Sequence, residues 1–160
     1  MSSQAAAVID LAKRAGVSIA TAESLTGGLV CSALVSVPGA SSVVRGGIVA
    51  YDADAKIRAL GVDALVLERE GPVSHAVASA MARGARAALG ADIVVATSGA
   101  AGPESHGGEA PGTVVIAVVG PAGDRVTTVH IAGNRADVMS GAVRVALDQV
   151  TRELLALTPL

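Results

Sequence analysis

Apolar residues recur along this chain at two spacings, one helical and one strand-like, and the alternation between them outlines the fold. Residues 2–15 put Val8, Leu11 and Ala12 or Ala15 on one side of an amphipathic helix that Gly16 stops. A short β-type run at 17–22 leads into the polar, glycine-rich stretch TAESLTGG at 21–28. Helical spacing resumes over 27–36, with Thr26 placed as its cap. Pro38-Gly39-Ala40-Ser41-Ser42 reads as a loop. A second strand over 47–51 finishes at Tyr51, and Asp52 then caps a helix over Ala53–Leu60 that Gly61 terminates. Residues 63–70 form a short helix, and Ser74 caps a longer one over His75–Leu89, where Val77, Met81, Ala85 and Leu89 share a face. The nearly unbroken apolar run at 93–97 has the character of a strand covered on both faces. After it comes the loop SGAAGPESHGGEAPGTV at 98–114. Strands at Thr113–Val119 and 126–131, joined by Gly120-Pro121-Ala122-Gly123-Asp124, form an antiparallel hairpin. Asn134 caps a closing helix from Arg135 to Leu157.

Helices interleaved with strands, followed by a hairpin, specify an α/β fold: a three-layer α/β/α sandwich with a mixed β-sheet. With no internal repeat or linker, 160 residues make one domain, long enough to bury a full core. Composition changes that picture little. The chain is 51% apolar with a net charge of −2, which argues against disorder. Twelve basic residues against 14 acidic leave no electrostatic footprint for nucleic acid or an anionic membrane. The uncharged run from Ser24 to Val44 invites a membrane reading, but Pro38-Gly39 and several serines interrupt it. The N-terminus lacks the basic start and long apolar centre of a signal peptide, so a soluble cytoplasmic protein is expected. The single cysteine, Cys31, is expected to be a small core residue.

The chemistry narrows by exclusion. His75, His106 and His130 are scattered and do not make a zinc site. The chain has no GxxxxGK[ST], no GxGxxG opening a helix after the first strand and no GxSxG. What remains is Ser24 in a turn rich in backbone donors, Lys56 with Tyr51 on the next strand-helix unit, and Ser98 opening the glycine loop. The chain carries ten arginines and only two lysines, Lys13 and Lys56, and Tyr51 is its sole aromatic residue. Lysine can lose its charge on burial where arginine cannot, so a retained lysine is a candidate base. If the strands at 17–22, 47–51 and 93–97 are parallel neighbours, these residues meet at one rim. A serine activated by an un-ionised lysine is then a route to acyl transfer. The plain alternatives are a capped strand-to-helix turn and a solvated surface lysine.

Several blocks, in order, resemble one family. AESLTGG (22–28), VPGASSVVRGGIVAYDADAKIRALGV (37–62), GPVSHAVASAMARGA (71–85), SGAAGP (98–103), PGTV (111–114) and GNR (133–135) are similar to the C-terminal domain of the competence/damage-inducible protein CinA, also known as nicotinamide-nucleotide amidase. The resemblance implies an α/β/α domain and hydrolysis of the carboxamide of nicotinamide mononucleotide to nicotinic acid mononucleotide and ammonia, in pyridine-nucleotide salvage. It implies a small nucleotide substrate, no metal or cofactor, and a homo-oligomer; the chain begins at the amidase-like part, as a stand-alone form does. Carried over, the catalytic residues are Ser24, Lys56 and Tyr51, and Thr26, Gly27, Gly28, Ser98, Gly99, Gly102, Thr113 and Arg135 shape the nucleotide pocket. Either Ser24 or a Lys56-activated water attacks, and N–H groups around Thr26 to Gly28 are placed to hold the oxyanion. Three positions depart from the family pattern: Leu25 in place of cysteine, Glu109 in place of a basic residue, and Met139 in place of arginine. The last two remove positive charge where a phosphate would bind. They keep open a non-catalytic nucleotide-binding or assembly module, and an amidase acting on another small amide.

Overall fold

The computed structural model describes residues 2–157. Its elements are α1 (Ser2–Ala15), β1 (Ile19–Glu23), α2 (Leu29–Val35), a 3-10 turn (Ala40–Ser42), β2 (Val44–Val49), α3 (Ala53–Leu60), α4 (Ala64–Glu70), α5 (His75–Leu89), β3 (Ile93–Gly99), β4 (Thr113–Val119), β5 (Arg125–His130) and α6 (Arg135–Leu157). The strands form one sheet in the order β2-β1-β3-β4-β5. β1 pairs parallel with both β2 and β3, whereas β3-β4 and β4-β5 are antiparallel. The C-terminal ends of β2, β1 and β3 therefore lie along one rim, with β1 in the middle.

Helices cover both faces, giving the three-layer α/β/α sandwich. The central strands divide their side chains between two cores with period two. Ile19, Ile93, Val95, Val114, Ile116 and Val118 join α1, α2 and α6 in one core. Ala20, Ala22, Val94, Ala96, Val115, Ala117 and Val119 join α3, α4 and α5 in the other. All are buried, and each large aliphatic contributes roughly 1.5–3 kcal/mol relative to exposure.

The caps on three helices follow the sequence. Asp52 accepts from Ala55 N–H, Ser74 from Val77 N–H, and Asn134 from the N–H groups of Ala136 and Asp137. A close approach also fixes α3, the helix that carries Lys56. A Cβ on Gly84 of α5 would sit 1.8 Å from the carbonyl oxygen of Leu60, so only glycine lets the end of α3 rest there.

Some boundaries differ from those expected. The uncharged run 24–44 is a turn, the seven-residue α2, a loop and the 3-10 turn. Among the described residues, no helix is long and apolar enough to cross a membrane. β2 begins at Val44 and ends at Val49, so Tyr51 follows the strand instead of finishing it. α2 starts at Leu29, and its N-cap is Gly28 at φ 98°, not Thr26. The donors that Thr26 was expected to satisfy are taken by Glu23.

Candidate active site

Ser24 follows directly on the last residue of the central strand β1. Its N–H donates to the carbonyl of Thr97 on β3, 2.9 Å away, and its carbonyl accepts from Gly27 N–H. The turn is thus pinned to the neighbouring strand on one side and closed on itself on the other. Lys56 reaches the same point from the first turns of α3. It is 1% exposed, and Nζ lies 3.1 Å from Ser24 Oγ and 3.1 Å from the carbonyl oxygen of Tyr51. Burial pushes the Lys56 amine below its ordinary value, and the Asp52 carboxylate partly opposes that. Both contacts are donations from Nζ, and in the neutral form the amine keeps an N–H on the Tyr51 carbonyl and can turn its lone pair to the serine proton instead.

The phenol of Tyr51 does something else. Its oxygen accepts from Arg135, 2.8 Å away, while the other arm of the guanidinium donates to the carbonyl of Gly102 at 3.0 Å. Contact between residue 51 and Lys56 therefore runs through the main chain, and the side chain ties the start of α6 to the rim. A cleft of about 380 Å³ opens beside Ser24. Leu25, Ala101 and Pro103 give it apolar wall, and Arg135, Glu104 and His106 give it polar groups.

The structure brings together Ser24, Tyr51, Gly99, Gly102 and Arg135 on this cleft, with Lys56 directly behind Ser24. The other expected residues stand elsewhere. Thr26 is fully buried beneath the turn, bonded to Glu23 and Thr97. Gly28 N–H donates to Glu23, and Gly27 N–H to the Ser24 carbonyl. That leaves the N–H groups of Leu25 and Thr26 as the donors of the turn without a partner among the described residues. Ser98 turns away to the carbonyl of Pro72, and Thr113 lines a separate cleft beside His75. Glu109 lines that second cleft too, while Met139 packs against the core between α6 and the sheet. Neither departure from the family pattern reaches the wall beside Ser24. Among the described residues, no group of three or more His, Cys, Asp or Glu is placed to hold a metal ion.

Sequence reasoning missed Glu23. It is fully buried, and its carboxylate accepts from Thr21 and Thr26 hydroxyls and from the N–H groups of Gly28, Val30 and Cys31. The signal was available: Glu23 is the only charged residue between Arg14 and Arg45. A lone carboxylate in so apolar a stretch must collect donors, because a buried charge without them is strongly unfavourable. β2 closes over this site through Gly47, where a Cβ would sit 2.3 Å from Thr21 Oγ1 and 2.9 Å from Cys31 Cβ.

Comparison with known proteins gives the family. The profile of the CinA C-terminal domain matches residues 1–154. A CinA-like protein of Frankia casuarinae is 44% identical over 150 residues, covering 94% of this chain and 35% of that protein. One from Mycolicibacterium paratuberculosis is 45% identical over 155 residues, covering 92% and 36%. The chain thus spans about a third of the length of these curated relatives. The crystal structure of the competence damage-inducible protein A (ComA) from Klebsiella pneumoniae superposes with a TM-score of 0.93 at 33% identity, covering 96% of each chain. By sequence over nearly its whole length and by fold, the chain belongs to the CinA C-terminal domain family.

Proposed function

We propose that this chain is an amidohydrolase that converts the carboxamide of nicotinamide mononucleotide to the carboxylate, releasing ammonia, as a step of pyridine-nucleotide salvage. The observation that carries the reading is the buried amine of Lys56, 3.1 Å from a serine hydroxyl that faces a cleft. An amine with no carboxylate in contact among the described residues, its charge disfavoured by burial, is the kind of base that activates a serine.

Ser24 Oγ attacks the carboxamide carbon as its proton passes to Lys56 Nζ. The oxyanion settles on the N–H of Leu25, which lines the cleft beside Ser24, a contribution of about 3–4 kcal/mol for a well-placed donor. The Lys56 ammonium returns the proton to the departing nitrogen, the C–N bond breaks, and ammonia leaves a Ser24 ester. A water then attacks the ester, Lys56 takes its proton, and the acid departs with Oγ reprotonated. Arg135 carries the formal positive charge on the cleft wall, and a substrate phosphate is bound there. Tyr51 holds Arg135 through its phenol and Lys56 through its carbonyl. On this reading the chain is one amidohydrolase domain, acting in the cytoplasm as a homo-oligomer without metal or cofactor.

The test is ammonia release from nicotinamide mononucleotide by the purified chain. Release that a Ser24→Ala variant abolishes supports the reading. Binding without release above that variant favours a non-catalytic nucleotide module. A rate as high on the riboside or on free nicotinamide favours an amidase for another small amide and refutes a phosphate site.

A further inference from the structure

Glu23 takes no part in the steps above, yet five donors converge on its carboxylate. Thr21 Oγ1 and Cys31 N–H donate to Oε1 at 2.9 and 2.8 Å. Thr26 Oγ1, Gly28 N–H and Val30 N–H donate to Oε2 at 2.7, 3.0 and 3.0 Å. These groups come from three places: β1 itself, the turn that carries Ser24, and the first turn of α2. The Thr26 hydroxyl has one proton and gives it to Glu23, so its 2.7 Å contact with Thr97 uses the Thr97 proton. A chain of hydrogen bonds therefore runs from β3 through the floor of the Ser24 turn into the buried carboxylate. Proximity of the negative charge is also felt at Cys31, whose thiol is pushed up by burial first and by Glu23 second.

We propose that Glu23 is a positioning residue for the Ser24 nucleophile, locking the turn after β1 so that Oγ stays within reach of Lys56 and Leu25 stays on the cleft lining beside it. This rests on the reading of Ser24 as the nucleophile. The carboxylate satisfies the α2 N-terminus from inside, so the turn is not an anion cradle despite its Gly27-Gly28 pair. With Gly27 and Gly28 N–H already engaged and Thr26 buried, Leu25 is the residue of the turn after the serine that lines the cleft. A hydroxyl displaced by an ångström from its base loses about a hundredfold in rate, which is the scale of the effect.

Glu23→Gln keeps the shape but turns an NH2 toward two or three of the five donors, so the turn must shift. Its measure is sulfonylation by phenylmethanesulfonyl fluoride, followed by mass spectrometry: the Ser24 Oγ–S bond forms, S–F breaks, fluoride leaves and Lys56 takes the proton. This probe reads the nucleophile without the natural substrate. In the variant, labelling is expected to slow about 10- to 100-fold while still reaching one label per chain. The kcat on nicotinamide mononucleotide falls alongside, with KM within about threefold of the parent. A purely structural role would instead lower the fraction of chains that can be labelled and leave the rate of the remainder unchanged, and that result overturns the proposal. So does a labelling rate within about twofold of the parent. If Glu23→Gln does not fold, Thr26→Val and Thr26→Ser decide: valine, which lacks the donating hydroxyl, must slow labelling, and serine must restore it. A parent that labels at Ser24 but releases no ammonia refutes the substrate and leaves Glu23 to be judged by labelling alone. A parent that does neither overturns both readings.

Discussion

Replacing Lys56 with methionine tests the centre of the site, because a large loss of activity should come with little change in stability. The substitution keeps an unbranched chain of similar length in a position that is 1% exposed. It removes the 3.1 Å contacts to Ser24 Oγ and to the Tyr51 carbonyl. Loss of a positioned base lowers kcat by about 10²–10⁴, or roughly 2.7–5.4 kcal/mol of barrier. Two net hydrogen bonds, at roughly 0.5–1.5 kcal/mol each, are lost from the folded state. Against them stands the removal of an amine whose charged form burial disfavours. The two terms largely offset, and the variant is therefore expected to lie within about 1 kcal/mol of the parent in stability near pH 7. The pH dependence separates these terms. The folded-state pKa of Lys56 lies below its ordinary 10.5, so the unfolded chain binds more protons in the interval between the two. Parent stability relative to the variant must then rise as pH climbs through the lowered pKa and level off above about 10.5, where both states are neutral. Ammonia release gives the first quantity, and urea denaturation at pH 7 and at pH 9.5–10 gives the second. Activity within about tenfold of the parent, or a stability difference that does not change with pH, refutes the account of Lys56 as a desolvated base.

Asp52→Asn keeps the cap on Ala55 N–H but deletes the charge that raises the Lys56 pKa, so the acid limb of kcat/KM moves to lower pH. That shift shrinks with added salt, since Asp52 is exposed. Arg135→Gln removes the guanidinium from the cleft and is expected to raise KM for the nucleotide about tenfold while leaving the riboside unaffected; equal effects on both would place the phosphate elsewhere. Gly47→Ala drives a methyl to 2.3 Å from Thr21 Oγ1 and destabilises by about 1–3 kcal/mol in urea denaturation. Unchanged stability there would mean that β2 does not seal the Glu23 site tightly.

Local chemistry and periodicity suffice for most of the elements. The caps at Asp52, Ser74 and Asn134 and the stops at Gly61 and Gly90 depend on neighbours within a few residues, so they are legible in order along the chain. The apolar run at 93–97 is likewise a property of the chain itself, and it becomes the two-faced strand β3. Ser24 and Lys56 could be singled out by residue type, but their 3.1 Å contact depends on β1 and β2 being parallel neighbours and on α3 seated against Gly84. Where a helix cap comes from another element, local reading fails. Thr26 has the right type and place for capping α2, yet it lost that role to Glu23, which gathers donors from the strand, the turn and the helix at once. Tyr51 likewise presents its carbonyl to Lys56 and its phenol to Arg135, 84 positions further on. Short-range hydrogen bonds and hydrophobic spacing are written in the sequence because they join near neighbours. Which distant groups share a buried charge is decided only when the strands align, because desolvation acts on the assembled fold and not on any one segment.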